Sequence, residues 1–189
     1  LVEDGEVHLG VLGCPNLGEQ CQPEMLGLGV LLVAKRGEGA WFTILAEEED
    51  AFHPLHVSDC ADPTRARVLR SVESGHTNAG QIDEIVKVLG VEAEPVLMDS
   101  QAKYATLASG GGEIMLRLLS PKKPDYKEKI WDQAAGSIIL EEAGGRITDL
   151  DGKPLDFSQG RTLAENTGVF ASNGPLHDAG LKAIARVCR

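Results

Sequence analysis

The sequence predicts a layered α/β fold, and three observations lead to this fold class. Strand-like and helix-like segments alternate from Pro54 onward, which is typical of helices packed on a sheet. Glycines follow the helix-like segments, where a left-handed residue commonly ends a helix. With 189 residues, 42% of them hydrophobic, the chain can form one core, or one domain and part of another.

The first part of the chain has the pattern of an antiparallel meander. We predict strands over residues 7–13 and 29–33, then a turn over residues 36–39 and a returning strand over residues 40–44. The acidic residues 47–50 are predicted to form a solvated loop.

A strand over residues 67–72 is followed by a clear helix pattern. Thr77 or Asn78 can cap this helix at its start, and Gly90 ends it. Its apolar residues recur at helical spacing on one face: Ile82, Ile85, Val86 and Leu89.

The alternation continues to the end of the chain. In the stretch KIWDQAAGSIILEEAGG, small residues at 134–136 would let a helix approach a sheet or a ligand closely. The predicted elements are strands over 95–98, 113–119, 146–148 and 168–172, and helices over 100–109, from about 129 to 143, and over 175–187.

Charge and composition argue against several classes of partner. The formal net charge of −11 repels nucleic acid and anionic membranes, so neither is predicted as a partner. No apolar run approaches the roughly 18 residues that a transmembrane helix needs, and residues 1–10 lack the pattern of a signal peptide. Four cysteines without a CxxC pair favour a reducing compartment, so we expect a cytoplasmic protein without a zinc site.

Three polar candidates lie between predicted strands and the helices that follow them, where α/β sheets bind ligands. His76 lies at one such junction. Ser100 and Lys103 lie at the next junction, three residues apart, so they share one face of the first helical turn. A hydroxyl and an ammonium placed in this way suit a phosphate.

Arg117 and Asp132 complete the candidate set. Arg117 lies in a strand of apolar residues, where a guanidinium usually requires an anionic partner. Asp132 lies between a tryptophan and a helix of small residues, where a carboxylate either caps the helix or holds a cation. If the ligand is an anion, fixed cations or a bound metal must reverse the negative field of the chain locally.

Each candidate also has a purely structural interpretation. The structural alternatives are a surface or capping role for His76, a helix cap for Ser100, a solvated helix lysine for Lys103, an ion pair of Arg117 with Asp99 or Asp125, and a helix cap for Asp132.

Six segments of the chain carry a family resemblance. They are GVLGCPNL, ESGHTN, DSQAKYATLASG, EKIWDQAAG, EEAGGRITDLDGKPLDF and GRTLAENTGVFASNGP. Together they resemble the inositol monophosphatase superfamily, and within it the branch of 3′(2′),5′-bisphosphate nucleotidases. The resemblance implies a sandwich of the inositol monophosphatase type. Residues 1–53 would be the end of an N-terminal α+β domain, and residues 54–189 the C-terminal α/β domain.

The resemblance also implies a reaction and a role for each candidate. Enzymes of this branch remove a phosphate from adenosine 3′,5′-bisphosphate, and often from 3′-phosphoadenosine 5′-phosphosulfate, the sulfate donor. His76, Ser100, Lys103 and Arg117 match residues that bind the nucleotide bisphosphate. Asp132 matches an aspartate that binds catalytic Mg²⁺ and lies close to the substrate. Lithium sensitivity is a family trait that the resemblance implies as well.

One motif of the superfamily does not occur in this sequence. Members carry an upstream metal-binding glutamate and an Asp-Pro-Ile/Leu-Asp-Gly segment that supplies further metal carboxylates and orients the attacking water. Here Asp62-Pro63 continues with Thr64-Arg65 instead. We therefore expect that the chain is the C-terminal part of a longer protein, that the catalytic residues lie upstream of Leu1, and that the chain is inactive without that N-terminal segment.

Two other functions stay open at this point. A phosphatase of inositol monophosphate or polyphosphates would share the metal chemistry but would not need the DSQAKY cluster. A non-catalytic nucleotide-binding module would keep the binding edge without hydrolysing the nucleotide.

Overall fold

The computed structural model describes residues 1–18, 21, 28–45, 51–72 and 77–188. Within these residues the chain forms eleven strands and four α-helices. The strands are β1 (Val2–Glu3), β2 (Glu6–Val7), β3 (Leu9–Cys14), β4 (Val30–Lys35), β5 (Gly39–Ile44), β6 (His53–Pro54), β7 (Val68–Arg70), β8 (Val96–Leu97), β9 (Ile114–Arg117), β10 (Arg146–Thr148) and β11 (Val169–Ser172). The helices are α1 (Ala79–Leu89), α2 (Ala102–Ala108), α3 (Ile130–Glu142) and α4 (His177–Cys188).

Strands β3 to β6 form a four-stranded antiparallel sheet in the order β3-β4-β5-β6, which confirms the predicted meander. Side chains alternate along β3, so Leu12 and Cys14 are buried while Leu9 and Val11 are exposed. The short strand β6 was not predicted, and β1 pairs with β2 in a separate hairpin. The acidic loop predicted over residues 47–50 lies outside the described residues.

The turn between β4 and β5 is tied to the end of α3. Arg36 Nη1 lies 2.7 Å from Glu141 Oε2, and the backbone N–H groups of Gly37 and Gly39 donate to the Glu142 carboxylate at 2.9 Å each. The bonded residues are more than 100 positions apart in the sequence. This contact fixes the orientation of the meander relative to α3.

Five further strands form a mixed sheet in the order β10-β11-β9-β7-β8. Strand β7 is parallel to β8 and to β9, whereas β11 is antiparallel to β9 and to β10. Parallel strands end at the same edge of a sheet, so the segments that follow β7, β8 and β9 begin on one side of the molecule. The predicted layered α/β class is confirmed.

The helices cover both faces of the mixed sheet, as alternation along β9 shows. Ile114 and Leu116 belong to the hydrophobic cluster that includes residues of α1 and α4, whereas Met115 belongs to the cluster with α2 and α3. Helix α1 begins where predicted, because Asn78 Oδ1 accepts a hydrogen bond from the Gln81 N–H at 3.3 Å. It ends at Gly90, whose φ is +71°.

Helix α3 is buried between the two sheets. Ile138, Ile139 and Leu140 are fully buried, so the helix is apolar on several sides instead of along one stripe. Close packing explains its small residues, as predicted. A Cβ added to Gly10 of β3 would lie 2.7 Å from the Ala135 carbonyl oxygen.

Gly136 of α3 is the point where this helix meets α2, and Gly136→Ala is expected to destabilise the fold. A Cβ there would lie 2.1 Å from Cδ2 of the Tyr104 ring. Relief of this clash costs about 2 to 3 kcal/mol, which exceeds the gain of about 1 kcal/mol from a better helix former. The midpoint of thermal unfolding should fall by several degrees, as measured by calorimetry.

Gly80→Ala in α1 is the matched control for Gly136→Ala. A Cβ at Gly80 would meet only the Asn78 Oδ1 atom, at 3.8 Å. The same chemical change should therefore leave stability unchanged or raise it by up to about 1 kcal/mol. Equal effects at the two positions would contradict the packing that we describe between α2 and α3.

The division into residues 1–53 and 54–189 stays a prediction. The antiparallel sheet lies in the first range, except that β6 (His53–Pro54) spans the boundary, and the mixed sheet lies in the second. One hydrophobic cluster joins the two ranges, since it contains Leu32 of β4, Leu107 of α2 and Ile139 of α3. The helices of the described ranges are all too short or too polar to cross a membrane.

Candidate functional site

The candidate site lies where the mixed sheet meets the first turns of α2 and α3. Ser100 follows β8 and precedes α2, Arg117 is the last residue of β9, and Asp132 is the third residue of α3. Lys103 lies in the first turn of α2. The parallel register of β7 with β8 and β9 places these segments at one edge of the sheet.

Four of the five predicted side chains line one space of about 140 Å³, which we call the small cavity. Its lining residues are Ser100, Gln101, Lys103, Tyr104, Met115, Arg117 and Asp132. The fifth candidate, His76, lies outside the described residues. Its predicted place beside the other four candidates therefore stays a prediction.

A larger space of about 560 Å³, the large cavity, lies next to the small cavity. Both are lined by Ser100, Gln101 and Asp132. Residues 12–17 line the opposite wall of the large cavity, and they run from the end of β3 through the GCPN segment. Its volume is in the range of small-molecule sites. One wall comes from β3 of the antiparallel sheet and the other from the starts of α2 and α3, so the cavity depends on how that sheet packs against these helices.

The first residue of the chain lies apart from both cavities. Leu1 directly precedes β1, is 70% exposed, and its amino group donates a hydrogen bond to the Leu9 carbonyl oxygen at 2.7 Å. Leu1 lines neither the small nor the large cavity. The residue itself therefore has no part in the candidate site, and the expectation that the catalytic residues lie upstream of Leu1 stays a prediction.

Lys103 is a buried cation. The residue is only 4% exposed, and its Nζ donates hydrogen bonds to the Met98 carbonyl oxygen at 3.2 Å and to Ser71 Oγ at 3.3 Å. Burial and then the nearby positive charge of Arg117 lower the pKa of Lys103, against a smaller opposing effect of Asp99. An anion bound between Lys103 and Arg117 would relieve this repulsion, so the pair is suited to a phosphate.

Arg117 is held by an acidic partner that the sequence did not suggest. Its Nη2 lies 3.0 Å from Glu128 Oε2, so the predicted ion pair with a structural carboxylate is present, but the partner is neither of the two named examples, Asp99 and Asp125. Burial lowers the pKa of Arg117, but the charge and hydrogen bond of Glu128 outweigh burial and raise it. Within the described residues, Nε of Arg117 is buried without a hydrogen-bond partner. The guanidinium therefore stays charged and keeps donors for a ligand.

A buried chain of hydrogen bonds connects Arg117 to α2 and α3. Glu128 Oε2 also accepts a hydrogen bond from Gln133 Nε2 at 2.7 Å, and Gln133 Oε1 accepts one from the Tyr104 hydroxyl. Sequence analysis did not select Glu128, Gln133 or Tyr104. Gln133 is the neighbour of Asp132, and Tyr104 completes DSQAKY, but their partners are 5 and 29 residues away.

Ser100 has an unusual backbone conformation. Its φ of +67° lies in the left-handed region, which costs a non-glycine residue on the order of 1 kcal/mol. Its Oγ accepts a hydrogen bond from the Ala102 N–H at 3.2 Å, but the N-cap residue of α2 is Gln101 and no side chain caps this helix, so the predicted helix cap at Ser100 is wrong. Ser100 is exposed, and its hydroxyl still has a proton to donate toward the cavity.

Asp132 does not cap α3. The N-cap residue is Lys129, no side chain caps this helix, and the backbone N–H of Asp132 donates to the Lys129 carbonyl oxygen at 3.0 Å. Asp132 is half-buried and lines both cavities. A carboxylate in the first turn of a helix is favoured by the helix dipole. The predicted helix cap is therefore wrong for Asp132, and its role as a cation ligand stays a prediction.

Asp132 fits magnesium as a single ligand, but the described residues do not form a complete magnesium site. Among them no group of three or more His, Cys, Asp or Glu side chains could hold a metal ion. Mg²⁺ requires six oxygen ligands, and one carboxylate with waters binds it weakly. Further carboxylates would have to come from another part of the protein.

Fold and site together define the class of this protein. It is an α/β sandwich with a cavity in which two cationic side chains, Lys103 and Arg117, lie beside the Asp132 carboxylate. A sequence profile described as "Inositol monophosphatase family" matches residues 1–187. The chain belongs to this family, and the predicted resemblance is confirmed.

Relatives and solved structures agree with this assignment. The chain is 42% identical over 99% of its length to the 3′(2′),5′-bisphosphate nucleotidase of Schizosaccharomyces pombe, and 38% identical over its whole length to that of Emericella nidulans. These matches cover 53% and 56% of the relatives, so the chain spans about half of their length. The Thermotoga maritima IMPase structure matches 99% of this chain and 59% of its own, with a TM-score of 0.68 and 25% identity.

Proposed function

We propose that this chain is part of a magnesium-dependent 3′(2′),5′-bisphosphate nucleotidase. The enzyme hydrolyses adenosine 3′,5′-bisphosphate to AMP and phosphate, and it also accepts 3′-phosphoadenosine 5′-phosphosulfate. The observation that carries the proposal is that Ser100, Lys103, Arg117 and Asp132 line one cavity. The names of relatives about 40% identical to the chain support the same substrate class.

Asp132 is the proposed magnesium ligand of this chain. When bound, the magnesium ions supply an activated water and stabilise negative charge at the reacting phosphate. Asp132 also lies at the junction of the small and large cavities, so it borders both the metal and the substrate in this proposal. Magnesium dependence and inhibition by lithium are typical of the family.

The other residues bind the part of the nucleotide that does not react. Lys103 and Arg117 hold its second phosphate, and Ser100 donates its hydroxyl to the same group. His76 is proposed as a further contact to the nucleotide. Binding energy from this distant phosphate positions the reacting phosphate and lowers the barrier to its hydrolysis.

The proposed site is completed by an N-terminal segment, upstream of Leu1, that carries the remaining metal carboxylates. Relatives about twice the length of the chain support this proposal. So does the edge of the antiparallel sheet, where β3 pairs with β4 alone among the described strands and exposes Leu9 and Val11. The complete protein is this chain together with that segment. We place it in the cytoplasm, consistent with four free cysteines.

The test compares substrates in the complete protein with Mg²⁺ present. We expect kcat/KM for adenosine 3′,5′-bisphosphate to exceed that for inositol 1-phosphate at least tenfold, about 1.4 kcal/mol, because only the nucleotide carries a second phosphate for Lys103 and Arg117. Phosphate release is the measurement. A preference for inositol 1-phosphate would assign an inositol phosphatase instead. Nucleotide binding without hydrolysis of either compound would assign a non-catalytic module.

A further inference from the structure

The loop between β9 and α3 forms a third space beside the candidate site. This space, the lysine cavity, has a volume of about 200 Å³. Its lining residues are Arg117, Leu118, Leu119, Ser120, Lys122, Lys123, Tyr126 and Glu128. Arg117 also lines the small cavity, so the two cavities share this guanidinium.

The backbone of the loop is folded so that both lysines reach this cavity. Ser120 accepts hydrogen bonds from the Lys122 N–H through Oγ at 3.4 Å and from the Lys123 N–H through its carbonyl at 2.8 Å. The Tyr126 N–H then donates to the Lys123 carbonyl oxygen at 3.2 Å. These turns hold Lys122 and Lys123 on the wall of a cavity that Arg117 also lines.

The charge of the lysine cavity is opposite to that of the chain. Arg117, Lys122 and Lys123 face one carboxylate, Glu128, which is already bonded to Arg117 and Gln133. Lys122 and Lys123 are exposed and form no ion pair with the described part of the chain. The cavity therefore has an excess of positive charge in a chain of net charge −11, which favours an anionic occupant.

Among the described residues, Glu128 is the only carboxylate that lines this cavity, since the other acidic residue of the loop, Asp125, is exposed and is not part of the wall. Lys127 is committed to the Asn166 carbonyl oxygen at 2.8 Å, and Lys129 Nζ lies 5.9 Å from the centre of the Tyr126 ring. Burial, and then the charge of Glu128, raise the pKa of Tyr126. Its phenol thus stays protonated and can donate a hydrogen bond to an anion.

The three cavities lie in a series defined by their shared walls. Asp132 joins the large cavity to the small cavity, and Arg117 joins the small cavity to the lysine cavity. If the second phosphate of the nucleotide occupies the small cavity, a group attached to that phosphate on the side of Arg117 would lie beside the lysine cavity, because Arg117 lines both spaces. The next space that it meets is lined by Lys122 and Lys123.

We propose that the lysine cavity is a subsite for an anionic group linked to the second phosphate of the substrate, such as the sulfo group (–SO3⁻) of a phosphosulfate. This inference rests on the proposed function, because it needs a nucleotide in the small cavity. It assigns Lys122 and Lys123 as residues that set the preference for a longer substrate over the simple bisphosphate.

The test uses the double variant Lys122→Ala/Lys123→Ala of the complete protein. Its readout is the ratio of kcat/KM for 3′-phosphoadenosine 5′-phosphosulfate to kcat/KM for adenosine 3′,5′-bisphosphate, two substrates that differ by one sulfo group. Two partly exposed charge contacts are together worth about 1 kcal/mol, so the ratio should fall about fivefold to tenfold. Lys122→Arg/Lys123→Arg should restore it, because the charges are kept.

A charge-matched control removes two exposed lysines that line none of the three cavities, Lys153→Ala/Lys182→Ala. This control should leave the ratio unchanged. An unchanged ratio in Lys122→Ala/Lys123→Ala, or an equal fall in the control, overturns the subsite. Wild-type protein that hydrolyses the bisphosphate but not the phosphosulfate overturns the subsite and the proposed use of the phosphosulfate, and leaves bisphosphate hydrolysis standing. Wild-type protein that hydrolyses neither nucleotide overturns the proposed function and the subsite together.

Discussion

The isolated 189-residue chain is expected to release phosphate from adenosine 3′,5′-bisphosphate at less than about one hundredth of the rate of the complete protein. Asp132 is the only carboxylate that the described residues place on the small and large cavities. Loss of a residue that only hydrogen-bonds to a metal ligand already lowers metal affinity or activity about 10 to 100-fold. Loss of several direct ligands should therefore lower the activity further. Phosphate release during a magnesium titration is the measurement.

Two controls make this result interpretable. The full-length S. pombe relative, assayed in parallel, shows that the assay detects bisphosphate hydrolysis. Circular dichroism and a cooperative thermal transition show whether the isolated chain is folded, so that inactivity is not mistaken for unfolding. Turnover of the folded chain within tenfold of the complete protein would show that no N-terminal segment is needed.

Asp132→Asn in the complete protein is expected to lower kcat/KM at least about a hundredfold. Asparagine keeps the shape of the side chain and one oxygen but removes the negative charge that attracts Mg²⁺. The magnesium concentration for half-maximal activity should rise at the same time. Both quantities come from initial rates measured over a range of magnesium concentrations.

Asp125→Asn is the matched control, because Asp125 is exposed in the loop before α3 and lines none of the three cavities. This variant should keep the activity and the magnesium dependence of the wild type. Should Asp132→Asn instead lower the unfolding temperature and leave the magnesium dependence unchanged, Asp132 would be a structural residue of α3 and not a metal ligand.

Much of the fold could be predicted from local patterns. The apolar spacing of Ile82 and Ile85, with Asn78 before them and Gly90 after them, defines α1 because caps and periodicity act over a few residues. The ends of helices were predicted less well. The helix expected over residues 100–109 is observed as Ala102–Ala108. Ser100 lies outside the helix in a left-handed conformation, which could not be predicted because serine rarely adopts it.

The candidate site was predictable only in part. Ser100, Lys103, Arg117 and Asp132 stood out as polar residues beside strand and helix ends, and the structure brings them to one cavity. Their roles stay predictions. The partner of Arg117 was missed, since nothing near Arg117 in the sequence distinguishes Glu128 from Asp99 or Asp125. The choice depends on the path of the loop between β9 and α3.

The sequence by itself determined the α/β class, the order of the elements and the residue types available at the sheet edge, because these follow from local periodicity and end signals. Only the tertiary structure decided which side chains share a cavity. The buried chain from Tyr104 through Gln133 and Glu128 to Arg117 connects α2, α3 and β9, and it exists only once these elements pack together. Hydrogen-bond geometry between distant segments depends on packing, which no local pattern encodes.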